Sequence, residues 1–114
     1  MEGKAIEKYI RVSPKKARRI VKLVQGKSVK EALAVLDFTK AKIAHHLWKA
    51  IHSASMNLIN NSPDTKIKEE DLYVKSVRIE NGPFYKRLKE ASQGRGVIIR
   101  RRTSHIIAIV EDRR

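Results

Sequence analysis

Hydrophobic positions between residues 13 and 61 recur at spacings of three and four, a pattern typical of amphipathic helices. A first helix is predicted to begin at Ser13-Pro14, an N-cap residue followed by proline, and to end at Gly26. A second begins at the capping box Ser28 to Glu31. Thr39 is predicted to cap a third, longer helix, which residues 60–64 end. The apolar stripes are Ala17, Ile20, Val21 and Val24; Val29, Ala32, Leu33 and Leu36; and Ile43, Leu47, Ala50, Ile51, Ala54 and Leu58.

Both ends of the chain instead carry the spacing of β-strands. An edge strand is predicted for Ala5 to Val12, because Lys8 interrupts its apolar side. A second strand runs from Leu72 to Ile79, and the pattern allows it to continue toward Leu88. A third strand runs from Val97 to near Val110. Between these two strands, the segments Asn81-Gly82-Pro83 and Gln93 to Gly96 are both turn-like. The apolar side of the first strand contains Ile6, Ile10 and Val12.

The two C-terminal strands predict a hairpin that is as long as the domain is wide. If they pair across the turn Gln93 to Gly96, each arm is roughly 40 Å long at 3.3 Å per residue, and a compact domain of this size has a radius of gyration of about 13 Å. The segment Lys86 to Arg102 has few apolar residues that could reach the core, so it should protrude. The single domain 1–114 is therefore divided into a body, about 1–80 and 103–114, and an extended hairpin, about 81–102.

Composition and charge indicate a folded domain with a polyanionic partner. The 114 residues include 41% hydrophobic residues, enough for a core, and carry a net charge of +14, which is typical of nucleic-acid-binding domains. The absence of cysteine excludes disulfides, thiolate zinc sites and cysteine nucleophiles. Apolar runs are short, such as Ile106 to Val110, and Met1 to Lys4 open no signal region, so we expect a soluble intracellular protein without a membrane partner.

No group of residues predicts catalysis, a metal site or a cofactor. His45 and His52 lie seven positions apart, about 10.5 Å along a helix, too far to share a zinc ion. His105 has no Ser/Asp companion, and the acids Glu69 to Asp71 are interpreted as a solvated edge. Gly94-Arg95-Gly96 lacks the third glycine of a dinucleotide site and is interpreted as a turn. The aromatic residues Trp48, Tyr9 and Phe38 are predicted to be core or half-buried.

Two clusters of basic residues predict RNA binding. No acid lies among the cations of the first helix, and Glu90 alone opposes those of the hairpin. The like charges within each cluster repel each other. Phosphate groups of a bound nucleic acid would neutralise these charges, and the counterions of the nucleic acid would be released. The predicted RNA-binding residues are Lys15, Lys16, Arg18, Arg19 and Lys22 on the helix, and Lys86, Arg87, Lys89, Arg95, Arg100, Arg101 and Arg102 on the hairpin.

Two other kinds of binding protein are alternatives to an RNA-binding one. Helix–Gly26–helix resembles a helix-turn-helix, so a DNA-binding regulator is the main alternative. The part of the second helix that would read bases exposes little beyond Lys30, Glu31 and Ala34, however. A membrane-surface binder is disfavoured because the first helix has no large aromatic residues in its stripe.

In the C-terminal arm, the motifs Lys86-Arg87, Gly94-Arg95-Gly96 and Arg101-Arg102-Thr103-Ser104-His105-Ile106 resemble the signature of the universal large-subunit ribosomal protein L twenty-two family, of bacterial or organellar type. The similarity extends from about Ala5 to Val110, and the spacing of Gly-Arg and Arg-Thr-Ser-His-Ile makes it specific. The matching segments are Lys86-Arg87, Gly94-Arg95-Gly96, Arg101 to Ile106, Arg11 to Arg18, Val24 to Ser28, Asn57 to Asn61 and Leu72 to Lys75.

This resemblance implies an α+β fold, with three helices packed on a small antiparallel sheet and a long protruding β-hairpin. It also implies a structural constituent of the large ribosomal subunit, in cytoplasmic or organellar ribosomes, with large-subunit rRNA and neighbouring ribosomal proteins as partners. The hairpin tip would line the nascent-peptide exit tunnel and meet the nascent peptide. The implied tip residues are Lys89, Glu90, Ala91, Ser92, Gln93 and Gly94, and Glu90-Ala91-Ser92 replaces a Pro-Arg-Ala-like step common in the family.

Overall fold

The computed structural model describes residues 2–61, 69–83, 85–90 and 96–112, with side chains for 2–61, 70–83 and 102–112. Three helices pack on a small antiparallel sheet, which confirms the predicted α+β fold. In chain order the elements are β1 (Glu2–Ile10), α1 (Pro14–Val24), α2 (Val29–Phe38), α3 (Lys42–Asn60), a 3-10 turn (Glu69–Asp71), β2 (Leu72–Asn81), β3 (Tyr85–Glu90), β4 (Gly96–Arg101) and β5 (Ser104–Asp112).

The main sheet has the order β1-β5-β2, with antiparallel pairing throughout. The C-terminal strand β5 is central, so that Ala108 pairs with Ala5 on one side and Val77 on the other. Strand β1 lies at the edge, as predicted. Strands β3 and β4 pair only with each other in this topology, as a separate ribbon. The radius of gyration of 17.4 Å, against about 13 Å for a compact domain of this length, reflects this elongated shape.

Two long strands predicted from the sequence are each divided in two at the base of the ribbon. The sequence allows the strand from Leu72 to continue toward Leu88, but β2 ends at Asn81, where the turn-like segment Asn81-Gly82-Pro83 begins. The strand expected from Val97 to near Val110 is interrupted between β4 and β5. Pro83 lacks the N–H that a continuous ladder requires. The buried Thr103 closes the break, because its hydroxyl donates to the Pro83 carbonyl and its own carbonyl accepts the Gly82 N–H at 3.0 Å.

The helix ends follow local sequence signals, with one exception. Ser13 precedes α1, Gly26 follows it with a φ of +82°, and the Ser28 hydroxyl accepts the Glu31 N–H at 3.3 Å. The expected cap of α3 is wrong: Thr39 ends α2, where its hydroxyl donates to the Val35 carbonyl at 2.7 Å, and Ala41 is the N-cap of α3. A hydroxyl that bonds back four residues serves the preceding helix and not the following one.

The core lies between the helices and one face of the main sheet. The predicted apolar stripes of the three helices face it, with Ile20 and Leu33 only partly buried at its margin. Strands β2 and β5 supply the other wall. The largest fully buried side chains include Ile43, Leu47, Ile51, Leu58, Leu72, Val74, Ile106 and Val110.

Strand β1 does not present the face expected from its sequence. Ile6 is 51% exposed, whereas Gly3 and Ile10 are buried. The pairing with β5 shifts register between Glu7 and Ile10, which inserts a bulge and moves the core-facing positions from odd to even residues. A strict period of two therefore fails here, and Val12 lies beyond the strand.

Two of the three aromatic residues expected to be core or half-buried are exposed. Phe38, the last residue of α2, is 90% exposed because the buried stripe of that helix ends at Leu36. Tyr9, in the bulge of β1, is 59% exposed. Trp48 is half-buried as expected, and its ring stacks on that of His52 with 5.0 Å between ring centroids.

Gly3 allows β1 to lie directly on α3. A Cβ atom at this position would overlap the Ala54 carbonyl oxygen and would lie 2.6 Å from Leu58 Cβ. We expect Gly3→Ala to lower the free energy of unfolding by about 1–3 kcal/mol, because strand and helix must separate. Thermal unfolding beside the exposed-site control Lys4→Ala measures this. A gain in stability, the usual result of Gly→Ala where there is room, would contradict the close approach.

Candidate RNA-binding surface

A groove at the base of the β3–β4 ribbon collects cations from distant parts of the sequence. Lys15 and Arg18 come from α1, and Arg102 comes from the turn that precedes β5. The groove has a volume of about 350 Å³. Its described lining contains no acid and consists of Pro14, Lys15, Arg18, Asn81, Gly82, Arg102 and Thr103.

Arg18 is held in place by the sheet. One of its guanidinium nitrogens, Nη2, donates to the Ile79 carbonyl at 2.9 Å. A guanidinium has five N–H donors, so this bond orients the group and leaves donors for a phosphate. The role of Arg18 is therefore partly structural. The charged face of the helix, taken from the sequence alone, does not predict this role.

Arg102 is positioned by the two buried residues that follow it. Thr103 bonds to Pro83 and Gly82 across the base of the ribbon, as described above. The hydroxyl of Ser104 donates to the Val12 carbonyl, just before α1 begins. The backbone that carries Arg102 is thus fixed both to β2 and to the start of α1, which places three cations in one rigid frame.

A second groove continues the charged surface along α1 and β2. It has a volume of about 390 Å³ and is lined by residues that include Lys22 from α1 and Arg78 from β2, with Arg18 shared between the two grooves. Arg78 was absent from the predicted clusters, although it alternates with buried residues in β2 and could have been found by that pattern. Glu80 also lines this groove and lies 4.0 Å from Arg78. We call Lys15, Arg18, Lys22, Arg78 and Arg102 the basic surface.

The remaining predicted cations divide into two groups. Lys16 and Arg19 are exposed on α1, so all five cations of the predicted helix face are exposed. The backbones of Lys86, Arg87 and Lys89 lie in β3, and those of Arg100 and Arg101 lie in β4, with Lys89 opposite Val97. Arg95 and the tip residues Ala91, Ser92, Gln93 and Gly94 lie outside the described residues, and Glu90 ends β3.

One histidine of α3 pairs with an acid of the neighbouring strand. His46 Nδ1 lies 3.1 Å from Glu7 Oε1, which joins α3 to β1, and His45 is exposed on the same helix. Within the described ranges, no three His, Asp or Glu side chains are grouped as a metal site would require. No described helix is long and apolar enough to cross a membrane.

An ion pair joins the two outer strands of the sheet. The Lys75 ammonium donates to the Glu2 carboxylate, and both side chains are about half exposed. This hydrogen bond, with the attraction of the opposite charges, lowers the pKa of Glu2 and raises the pKa of Lys75. Neither residue lines the grooves of the basic surface.

The link between α1 and α2 is bound to the sheet. The Gly26 N–H donates to the Val74 carbonyl at 3.0 Å, and the Val74 N–H donates to the Lys27 carbonyl at 2.8 Å. A DNA-reading helix must project its N-terminal part into a groove. Here that end of α2 lies against β2, which disfavours the helix-turn-helix interpretation.

Comparison with known proteins gives matches along the whole chain. Residues 5–111 match the family described as ribosomal protein L22p/L17e. The chain is 46% identical to the large ribosomal subunit protein uL22 of Desulforamulus reducens, over 100% of this chain and 98% of that protein. It is 44% identical to uL22 of Clostridioides difficile, over 100% of both chains. For uL22 of Thermus thermophilus the identity is 41%, over 99% of this chain and 97% of that protein.

Proposed function

Because this chain belongs to the ribosomal protein L22p/L17e family and is a structural protein of the large ribosomal subunit, we propose that it binds large-subunit rRNA through the basic surface. The family is structural and not enzymatic. The observation that carries the proposal is the convergence of Lys15, Arg18 and Arg102 on one groove with no acid in its described lining. Cations fixed in this way suit the closely spaced phosphates of a folded RNA.

The ribbon extends this contact away from the body. Strands β3 and β4 contain five of the predicted cations, namely Lys86, Arg87, Lys89, Arg100 and Arg101. We propose that they enter the rRNA, that the tip lines the nascent-peptide exit tunnel as the family resemblance implies, and that neighbouring ribosomal proteins contact the body. The location proposed for the assembled protein is the ribosome of a bacterial cytoplasm.

Co-sedimentation tests rRNA binding at the level of the particle. The full chain should sediment with large ribosomal subunits and should resist removal until high salt, because each phosphate contact makes binding salt-dependent. Structured large-subunit rRNA should be bound more tightly than duplex DNA at equal salt. Absence from purified particles, or tighter binding to duplex DNA operators, would contradict the proposal.

Deleting Lys89 to Gly94 tests the division between body and ribbon. We expect nearly unchanged thermal stability and rRNA binding, because Lys89 and Glu90 end a strand that pairs in the ribbon and not in the main sheet, and the segment from Lys89 to Gly94 has no large apolar residue to add to the core. The tunnel should change instead, in its passage of nascent chains and its response to macrolide-type drugs. Unfolding of the variant, or its loss from the subunit, would show that the tip belongs to the core.

A further inference from the structure

Tyr9 has an unusual backbone conformation that exposes its ring. Its φ is +59°, the only positive value at a residue other than glycine among the described residues, and its side chain is 59% exposed. The left-handed region is unfavourable for a bulky side chain. Here the bulge of β1 imposes it, and the Tyr9 N–H donates to His105 Nδ1 at 3.1 Å.

The Tyr9 ring is also oriented by His105. The two ring centroids are 5.0 Å apart and the planes meet at 88°, so one ring contacts the other edge to face. In an edge-to-face contact the two rings are not stacked, so they do not cover each other's flat faces. Because the Tyr9 side chain is mostly exposed, the pair forms an aromatic surface fixed on two strands.

This ring pair borders the groove of the basic surface. Gly82 lines that groove, and a Cβ built on Gly82 would lie 3.1 Å from His105 Cε1. Arg102 lies three residues before His105 on the same backbone. Lys8 and Arg11, on either side of Tyr9, are both exposed. Among acids near the pair, Glu80 is opposite His105 in the sheet and faces Arg78 at 4.0 Å.

We propose that Tyr9, supported by His105, is a stacking platform for an unpaired rRNA base whose neighbouring phosphates occupy the basic groove. This inference rests on the proposed function. Unpaired bases stack on aromatic side chains in sequence-tolerant fashion, and adjacent cations hold the backbone. A protein partner would equally cover an exposed tyrosine, but the cations on both sides of the ring pair favour a polyanion.

Exchanging Tyr9 separates its ring from its backbone conformation. Tyr9→Asn removes the ring and retains a residue that tolerates the left-handed region, so its thermal stability should equal or exceed that of the wild type. Its affinity for protein-free large-subunit rRNA should fall about tenfold. The slope of log affinity against log salt should stay unchanged, since no phosphate contact is lost. The matched control, Tyr9→Phe, should bind as the wild type does.

Ultraviolet cross-linking of intact large subunits gives a second readout that needs no variant. Mass spectrometry should find a nucleotide adduct on the peptide that contains Tyr9. Wild-type affinity in Tyr9→Asn, or a cross-link from Tyr9 to protein instead of RNA, would overturn the inference. A flattened salt slope in Tyr9→Asn would also overturn it, because the residue would then act through the cations. Absence of salt-dependent rRNA binding by the wild type would instead contradict the proposed function itself.

Discussion

Replacing Lys15, Lys22 and Arg102 together by glutamine is expected to weaken rRNA binding on the order of a hundredfold at about 0.15 M salt. Each lost phosphate contact removes about 0.7–0.9 unit of slope from log affinity against log salt, which corresponds to about fivefold at this concentration relative to 1 M. The fold should be retained, because all three side chains are exposed. Arg18 is left intact in this variant, since it also bonds to the Ile79 carbonyl. Filter binding over a salt series measures both quantities.

A charge-matched control shows whether weaker rRNA binding results from the position of the lost cations or from the change in net charge. Lys30, Lys40 and Lys49 are exposed on or beside α2 and α3, away from the two grooves. Their joint replacement by glutamine changes the net charge by the same amount and should alter the salt slope much less. Equal effects of the two triple variants would mean that overall charge, and not the basic surface, governs binding.

Leu47→Ala is expected to have the largest effect on stability. Leu47 is fully buried in the N-terminal half of α3, and truncation leaves a cavity in the core. A loss of about 3 kcal/mol is typical of such sites, and the melting temperature should fall on the order of 10 °C. Calorimetry measures both. The salt slope of rRNA binding, taken well below the transition, should not change, because the cavity removes no cation.

The matched control for this variant is Leu23→Ala on α1. Leu23 is 45% exposed, so its truncation should cost less than about 1 kcal/mol. Similar losses at the two positions would indicate that α3 does not form the centre of the core.

The helices and the core were predictable from the sequence because their signals are local. Apolar spacing of three and four, Ser28 with Glu31, and Gly26 after α1 all act within a few residues of each other. The bulge in β1 was not predictable, because it depends on pairing with β5, about a hundred residues away. A period of two over Ile6 and Ile10 therefore placed Ile6 on the wrong face. The break after β2 has a local signal in Asn81-Gly82-Pro83, whereas the break between β4 and β5 depends on Thr103 meeting Pro83 across the base of the ribbon.

The candidate site was predictable in its charges and not in its geometry. The uninterrupted run of cations on α1 identified Lys15, Arg18 and Lys22, and the arm identified Arg102. That Arg102 lies beside α1 follows only from the sheet order, in which β5 is central. The same pairing places His105 against Tyr9. Tyr9 is therefore exposed next to the cations, although its aromatic side chain predicts a core or half-buried position.

A cryo-electron microscopy structure of the large subunit containing this chain tests the central claim most directly. The proposed function predicts rRNA phosphate oxygens within hydrogen-bonding distance, about 2.7–3.2 Å, of Lys15, Arg18 and Arg102 in the groove at the base of the ribbon. A groove that is open to solvent, or is filled by a neighbouring protein with no phosphate near these three side chains, would contradict it.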